Sequence, residues 1–522
     1  MRVKAPTWLA PCWTVLTLAA AAAVPLPAQT AEDAGDPGVM PSAEWADRFS
    51  ASRAEIPRLL VDYDLPSIAV AVAIGGEIVW EEGFGWADRE ARTPATEHTM
   101  YSLASISKPI TATGLMILVE RGLVDLDVPV DAYLGPARLN GRAFDASRAT
   151  VRAVASHTSG LPLHYQFFYE DEPYRRPPMD ETIRRYANLV TAPGERYQYS
   201  NLGYGILDHV ISRRSGRPYA DFMRDEVFEP LGMTRTSVGI ARGLESFAST
   251  RYAEDGSRIP FYDFDHPGGS AVWSSALDLV RFGMFHLKDR LPDQRAVLSD
   301  ASIDAMHRPV ADDGVGSTYG IGWATRAWEG GFRVIGHTGG MGGVRTSLTL
   351  VPEEDAAVVV LLNASSGVMG YLTDRILSAI VPGKVEAPRL PPTGNGARPD
   401  EGLAPLAFEP MPRLAGLWRG SVHTYRDELD LRLVIEEGGA VYVRLADQPW
   451  TLLNDASFDG TYLTGFFAGD LGTEDVNRTE HVLRVELRLR DDVLNGSVIG
   501  QSLPAVRVGN ALTHWAEVRR ER

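Results

Sequence analysis

The chain has 522 residues, 44% hydrophobic and 23% charged, with a formal charge of −17. This length suits two or three globular domains, and the acidic balance argues against nucleic acid or an anionic membrane as a partner. The single cysteine, Cys12, lies near the start, so the rest of the chain can form no disulfide, thiol nucleophile or cysteine-ligated metal site.

Residues 1–28 read as a secretion signal. Arg2 and Lys4 form a basic start, Trp8 to Val24 is apolar, and Pro25-Leu26-Pro27-Ala28-Gln29 offers a cleavage point after Ala28. The expectation is a periplasmic or secreted protein with no stable membrane insertion after cleavage; an uncleaved anchor is the alternative, weakened by Pro11. Residues 29–42 are small, acidic and Pro/Gly-containing, a disordered lead-in.

From Ala43 to Tyr63, Trp45, Phe49, Ile56, Leu59 and Leu60 recur at helical spacing. Ser67–Ile74 and Ile78–Phe84 flank Gly75-Gly76 and predict a hairpin. Ser105-Ile106-Ser107-Lys108-Pro109 then opens an apolar helical run that Gly122 closes. Proline lacks an N–H and fits a first turn, which puts Ser105 at the positive end of the helix dipole. Lys108, three residues on, shares its face. A hydroxyl beside an amine there is a candidate activated nucleophile. Lysine is scarce: only Lys4, Lys108, Lys288 and Lys384 occur among 51 basic residues. Arginine carries the generic charge, and lysine is the one that can lose its proton when desolvated. The plain alternative is an exposed helix start.

Leu123–Asp127 and Pro129–Leu134 suit an extended passage, and Thr150–Ala155 a short helix before the polar turn Ser156–Pro162. Tyr165–Met179 is aromatic and Pro-rich, an irregular loop expected to contribute to a pocket wall. Glu181–Leu189, Leu202–Ser215, Tyr219–Phe228 and Ala276–Leu287 read as helices, the last preceded by Gly268-Gly269. Strands follow at Phe332–Ile335, Thr346–Val351 and Ala356–Leu362, then a helix at Leu372–Val381. Strands at both ends of residues 43–382 predict one sheet built from both termini with a helical insert, an α/β (α+β) domain. Residues 383–412 are a Pro-rich linker. Residues 413–522 alternate strongly, as in Leu429, Leu431, Leu433, Ile435 and Leu483, Val485, Leu487, Leu489, and predict a small all-β barrel or sandwich.

A nucleophilic serine needs proton carriers and an oxyanion site. Tyr199-Ser200-Asn201 offers a phenol, which a lysine ammonium would depress toward tyrosinate, and an amide that both donates and accepts. Tyr186-Ala187-Asn188 repeats the letters, but inside a predicted helix where positions two apart diverge. His337-Thr338-Gly339-Gly340 is a Gly-rich strand edge that lets backbone approach a ligand. The sequence holds no G-x-S-x-G serine elbow and no H-E-x-x-H, and no P-loop or dinucleotide fingerprint in a strand–turn–helix setting.

Ser105-x-x-Lys108, Tyr199-x-Asn201 and His337-Thr338-Gly339, in this order, resemble the motifs of the serine β-lactamase-related family of class C β-lactamases, penicillin-binding DD-peptidases, D-aminopeptidases and related esterases. Ser156–Leu161, Leu231-Gly232-Met233, Gly268-Gly269 and Leu361-Leu362-Asn363 support the resemblance, which spans Trp45 to Val381. It implies a β-lactamase/transpeptidase-like fold of antiparallel sheet plus helices and an acyl-enzyme on Ser105. Lys108 and Tyr199 would share proton transfer, and Asn201 would hold the substrate amide. The N–H groups of Ser105 and Gly340 would form the oxyanion hole. It implies no metal or cofactor. The C-terminal region resembles the lipocalin-like domains appended to some members, which can cover the active-site mouth. Where many β-lactamases and DD-peptidases carry lysine, this chain has His337. A mostly neutral histidine removes a fixed charge, which points away from those activities and toward D-aminopeptidase and esterase-like members. The expected partner is a small-molecule or peptide substrate. The readings in competition are a peptide or amide hydrolase acting on D-residues of cell wall, an esterase of small acyl esters, and a non-catalytic peptidoglycan or ligand binder.

Overall fold

The computed structural model describes residues 43–328, 331–381, 389–392 and 414–521. The expected signal, the lead-in and most of the predicted linker lie outside the described residues.

Helix α1 (Ala43–Asp62) leads into β1 (Ser67–Ile74) and β2 (Glu77–Asp88), the predicted hairpin. Strands β3 (Arg333–Met341), β4 (Val344–Val351) and β5 (Ala356–Leu362) form an antiparallel meander. β1 pairs with β5 from Ile68↔Leu362 to Ile74↔Ala356, so the early hairpin and the late meander share one nine-stranded sheet. Successive side chains of a strand face opposite ways, and both faces here are covered. Ile68, Val70, Val72, Val358 and Val360 pack with Phe49 and Ile56 of α1 and with Leu372 and Ile376 of helix α5 (Val368–Ile380). Ala69, Ala71, Ala73 and Val359 belong to the core on the other face, with Leu279 and Phe282 of α4 (Ala276–Leu287). The small side chains on that face let α4 lie close, as the near approach of Gly283 to Ala357 shows. Full burial of each Val, Leu or Phe contributes about 1.5–3 kcal/mol, which explains why these strands are continuous apolar runs.

The helical insert contains α2 (Ser107–Glu120), buried from Ser107 to Leu118, and α3 (Asn201–Ser215), whose N-cap Ser200 accepts from Gly203 N–H at 3.0 Å. Pro109 occupies the first turn of α2, as its missing N–H predicts.

Several local expectations are corrected. Pro129–Leu134 is not extended: Val130–Tyr133 forms a 3₁₀ turn, held where Asp131 accepts the Leu139 N–H at 2.9 Å. The helix expected to run to Leu189 is Met179–Tyr186 and stops where Ala187 leaves helical geometry. The aromatic loop contains the strand Phe167–Tyr169, paired with Tyr262–Phe264. β3 does not end at Ile335 but runs through His337–Gly340, because ladder bonds use backbone and tolerate glycine.

Beyond the first sheet, nine strands between Gly416 and Arg520 form a second antiparallel sheet. Its two edge strands, Thr451–Leu452 and Asn454–Phe458, are separated only by Leu453, so the sheet curls round into a nearly closed barrel. Leu431, Leu433, Ile435, Leu483, Val485 and Leu487 fill it, while Leu429 and Leu489, at strand ends, are half-buried. The barrel and the first fold pack as one compact unit. Tyr165 and Ala511 exchange backbone bonds of 3.1 and 3.0 Å, Asn510 Oδ1 accepts from Phe167 N–H at 2.8 Å, and Tyr169 donates to the Val508 carbonyl at 2.9 Å. Glu195 pairs with Arg488 and with Arg490 (2.5 Å). No described helix is long and apolar enough to cross a membrane.

Candidate active site

Ser105 sits in the 3₁₀ turn Ala104–Ile106 that enters α2, just ahead of the helix N-terminus at Ser107. The residue before it, Ala104, has φ of +48°, a left-handed conformation that costs about 1–3 kcal/mol for a residue with a Cβ. The turn is anchored where Leu103 N–H donates to Val272 O at 2.8 Å and Thr346 Oγ1 donates to Leu103 O at 3.0 Å.

Lys108 is wholly buried, and its Nζ lies 3.1 Å from Ser105 Oγ, 2.8 Å from Asn201 Oδ1 and 2.9 Å from the Gly269 carbonyl. Burial pushes its pKa well below the ordinary lysine value. A neutral amine has two N–H donors and one lone pair. That matches two acceptor-only oxygens and one hydroxyl able to donate. In that form the amine offers its lone pair to the Ser105 hydroxyl 3.1 Å away.

Tyr199 is hydrogen-bonded to Ser105, and its ring lies 4.7 Å from Lys108 Nζ. Burial raises the Tyr199 pKa and outweighs that bond. The tyrosinate expected from sequence is thus disfavoured, because burial also removes the ammonium that would have stabilised it. Asn201 opens α3, and its Oδ1 holds Lys108.

His337, Thr338, Gly339 and Gly340 lie along β3. His337 Nδ1 donates to the Thr338 carbonyl at 2.7 Å, so Nε2 accepts from the Tyr319 hydroxyl at 3.1 Å. Burial takes its pKa down to about 3, and the ring is neutral. Thr338 is exposed. Gly339 must lack a side chain, since a Cβ would overlap Leu103 O and Thr346 Oγ1. This contact sets the strand against the serine turn. Ser105, Tyr199, Asn201 and Gly340 line one cavity of about 1080 Å³. The decoy Tyr186 is elsewhere, its hydroxyl bonded to Asp475 of the barrel.

Sequence reasoning missed several groups at and around the cavity. Asp208 accepts the Gly268 N–H at 2.6 Å, and burial raises its pKa to about 8. Arg345, opposite Gly340 on β4, is the only lysine or arginine lining the cavity among the described residues. His266 lines it too; its Asp265-His266 pair just before Gly268-Gly269 was the overlooked signal. Pro504–Val508, between the last two barrel strands, close one wall facing Tyr165, Phe167 and Ile259. His157 Nδ1 accepts from Ser200 N–H at 3.1 Å, and its ring packs on Tyr199, Tyr204 and Tyr319, contacts that shape the site's wall. Among the described residues, no cluster of three metal-ligating side chains is assembled.

The family model described as Beta-lactamase matches residues 45–381. Penicillin-binding protein 4* of Bacillus subtilis (strain 168) is 27% identical over 317 residues, 56% of this chain and 67% of that protein. Esterase EstB of Burkholderia gladioli is 32% identical over 292 residues, 48% of this chain and 72% of its own. The solved structure of SurE with D-Leu has 21% identity and a TM-score of 0.58, covering 91% of this chain and 100% of that one, and so shares the fold across both parts. The chain belongs to the beta-lactamase family and is a serine hydrolase of that family.

Proposed function

We propose that the protein cleaves peptide amide bonds through an acyl-enzyme on Ser105, acting in the periplasm or outside the cell. The observation that carries this reading is the buried Lys108, its Nζ 3.1 Å from Ser105 Oγ, with Ser105 lining a cavity of about 1080 Å³. Pockets for small ligands are roughly 300–1,000 Å³, so this one has room for several residues of a peptide.

Lys108 Nζ takes the serine proton as Oγ attacks the substrate carbonyl. The N–H groups of Ser105 and Gly340 receive the oxyanion. Asn201 orients the acyl amide. Tyr199, a phenol at neutral pH, gives its proton to the departing amine and is restored by the Lys108 ammonium. Water then releases the acyl group.

Esterase activity is the second reading, favoured by the similarity to Esterase EstB. Alkoxide leaving groups depend less on a proton donor than amines do. Tyr199→Phe should therefore lower cleavage of D-alanyl p-nitroanilide about 10²-fold or more and that of p-nitrophenyl butyrate far less. Cleavage of the ester alone by wild type would select the esterase reading. A wild type that cleaves neither and takes no covalent label at Ser105 would overturn both.

A further inference from the structure

We propose that His266, oriented by Asp265, is the base that activates water to hydrolyse the Ser105 acyl-enzyme. This rests on the acyl-enzyme reading above and assigns a group to its second half.

Asp265 is sealed from solvent, 1% exposed. Its Oδ1 lies 2.6 Å from His266 Nδ1 and its Oδ2 lies 2.6 Å from His164 Nε2. Burial opposes the carboxylate charge, but the two imidazoles outweigh it and hold Asp265 ionised. An ionised carboxylate only accepts, so both rings donate to it. His266 then carries its proton on Nδ1 and a lone pair on Nε2, the tautomer in which a carboxylate holds a general base. Burial keeps the ring neutral, with Asp265 opposing that shift. No described residue bonds to Nε2.

His266 lines the cavity with Ser105, Tyr199 and Asn201. Its Cδ2, adjacent to Nε2, lies 3.0 Å from where a Cβ of Gly269 would stand, and Gly269 O is the acceptor of Lys108 Nζ. Glu254 and Asp255, the carboxylates that also line the cavity, are exposed. Lys108 is not among the residues lining the cavity and Tyr199 stays a phenol, so among the described lining residues His266 is the buried one with a free accepting nitrogen.

In the step, Nε2 takes a proton from water as the water oxygen bonds to the acyl carbon, and the carbonyl pair moves to the oxyanion. The carbonyl re-forms, the bond from carbon to Ser105 Oγ breaks, and Oγ takes the Tyr199 proton. The His266 proton returns to Tyr199 through cavity water. Asp265 acts through His266 and is a positioning residue.

The test uses p-nitrophenyl acetate with the full chain, following the burst of p-nitrophenol, the steady state and the intact mass. For His266→Gln we expect a burst near one equivalent, a steady state at least about 10²-fold lower, and an acetyl adduct persisting on Ser105. Fluorophosphonate labelling should keep its wild-type rate. Asp265→Asn, nearly isosteric, should shift burst and steady state in the same sense and carries the test if the glutamine variant does not fold. Unchanged turnover, or burst and turnover falling together, would overturn the proposal. A wild type without any Ser105 adduct would instead refute the acyl-enzyme reading.

Discussion

Lys108 and Tyr199 show how burial assigns roles to side chains. Both are pushed toward their neutral forms, the lysine by a lowered pKa and the phenol by a raised one. A neutral lysine is a base and a neutral phenol is a donor. The sign gives a pH prediction. Below its depressed pKa, Lys108 is protonated and cannot accept the serine proton, so the rate of Ser105 labelling should rise as pH climbs through that value and level off above it. Lys108→Arg should abolish this rise and cut labelling about 10²–10⁴-fold, since guanidinium keeps its proton. A variant that still labels with a rising pH profile would contradict the assignment. Asp208 offers a second check on stability. Its folded pKa of about 8 lies above the ordinary carboxylate value of 3.8, so the folded state holds a proton that the unfolded state has lost between those limits. Stability is therefore highest below pH 3.8 and declines as pH rises toward 8, as far as this group is concerned. Asp208→Asn, whose Oδ1 can still accept the Gly268 N–H, should flatten the melting temperature over that window. An unchanged slope would contradict the shift.

At the scale of elements, the site depends on the approach of β3 to the serine turn. Gly339 allows it, because a side chain there would overlap the Leu103 carbonyl and Thr346. Gly339→Ala should separate strand from turn, keep the fold by circular dichroism and slow Ser105 labelling by about 10²-fold or more, the loss expected when one oxyanion donor goes. Labelling at the wild-type rate would show that the contact is not needed. The same elements show what sequence could convey. Ser105–Lys108 was readable because helix spacing is local, and β1 and β5 because buried central strands are apolar throughout. The strand Phe167–Tyr169 was not readable, since its partner Tyr262–Phe264 lies far along the chain and nothing local distinguishes it from a loop. The full length of β3 was hidden because Gly339 and Gly340 look like a strand end, while their backbone ladder with Thr346 and Arg345 continues. The Lys108–Gly269 contact was equally hidden, because a carbonyl acceptor leaves no mark on residue type.

At the scale of the whole molecule, the barrel contributes a wall of the catalytic cavity. Pro504, Ala505, Val506 and Val508 present apolar groups to it, and Arg507 is tied outward to Asp171 at 2.5 Å. Replacing Pro504–Val508 with a glycine-serine linker should open this wall. KM for a peptide substrate should rise about tenfold or more, with labelling by a small fluorophosphonate nearly unchanged; equal effects on both would place the loop's role in folding. His337, neutral and tied to Thr338 and Tyr319, supplies no fixed charge, so Arg345 carries the cavity's positive charge. Each of these roles requires Ser105 to be a nucleophile, and the most direct measurement is intact mass and peptide mapping after reaction with a fluorophosphonate. One equivalent of adduct on the peptide bearing Ser105, absent from Ser105→Ala, is the predicted result; an adduct on another residue, or none on folded wild-type protein, would contradict it.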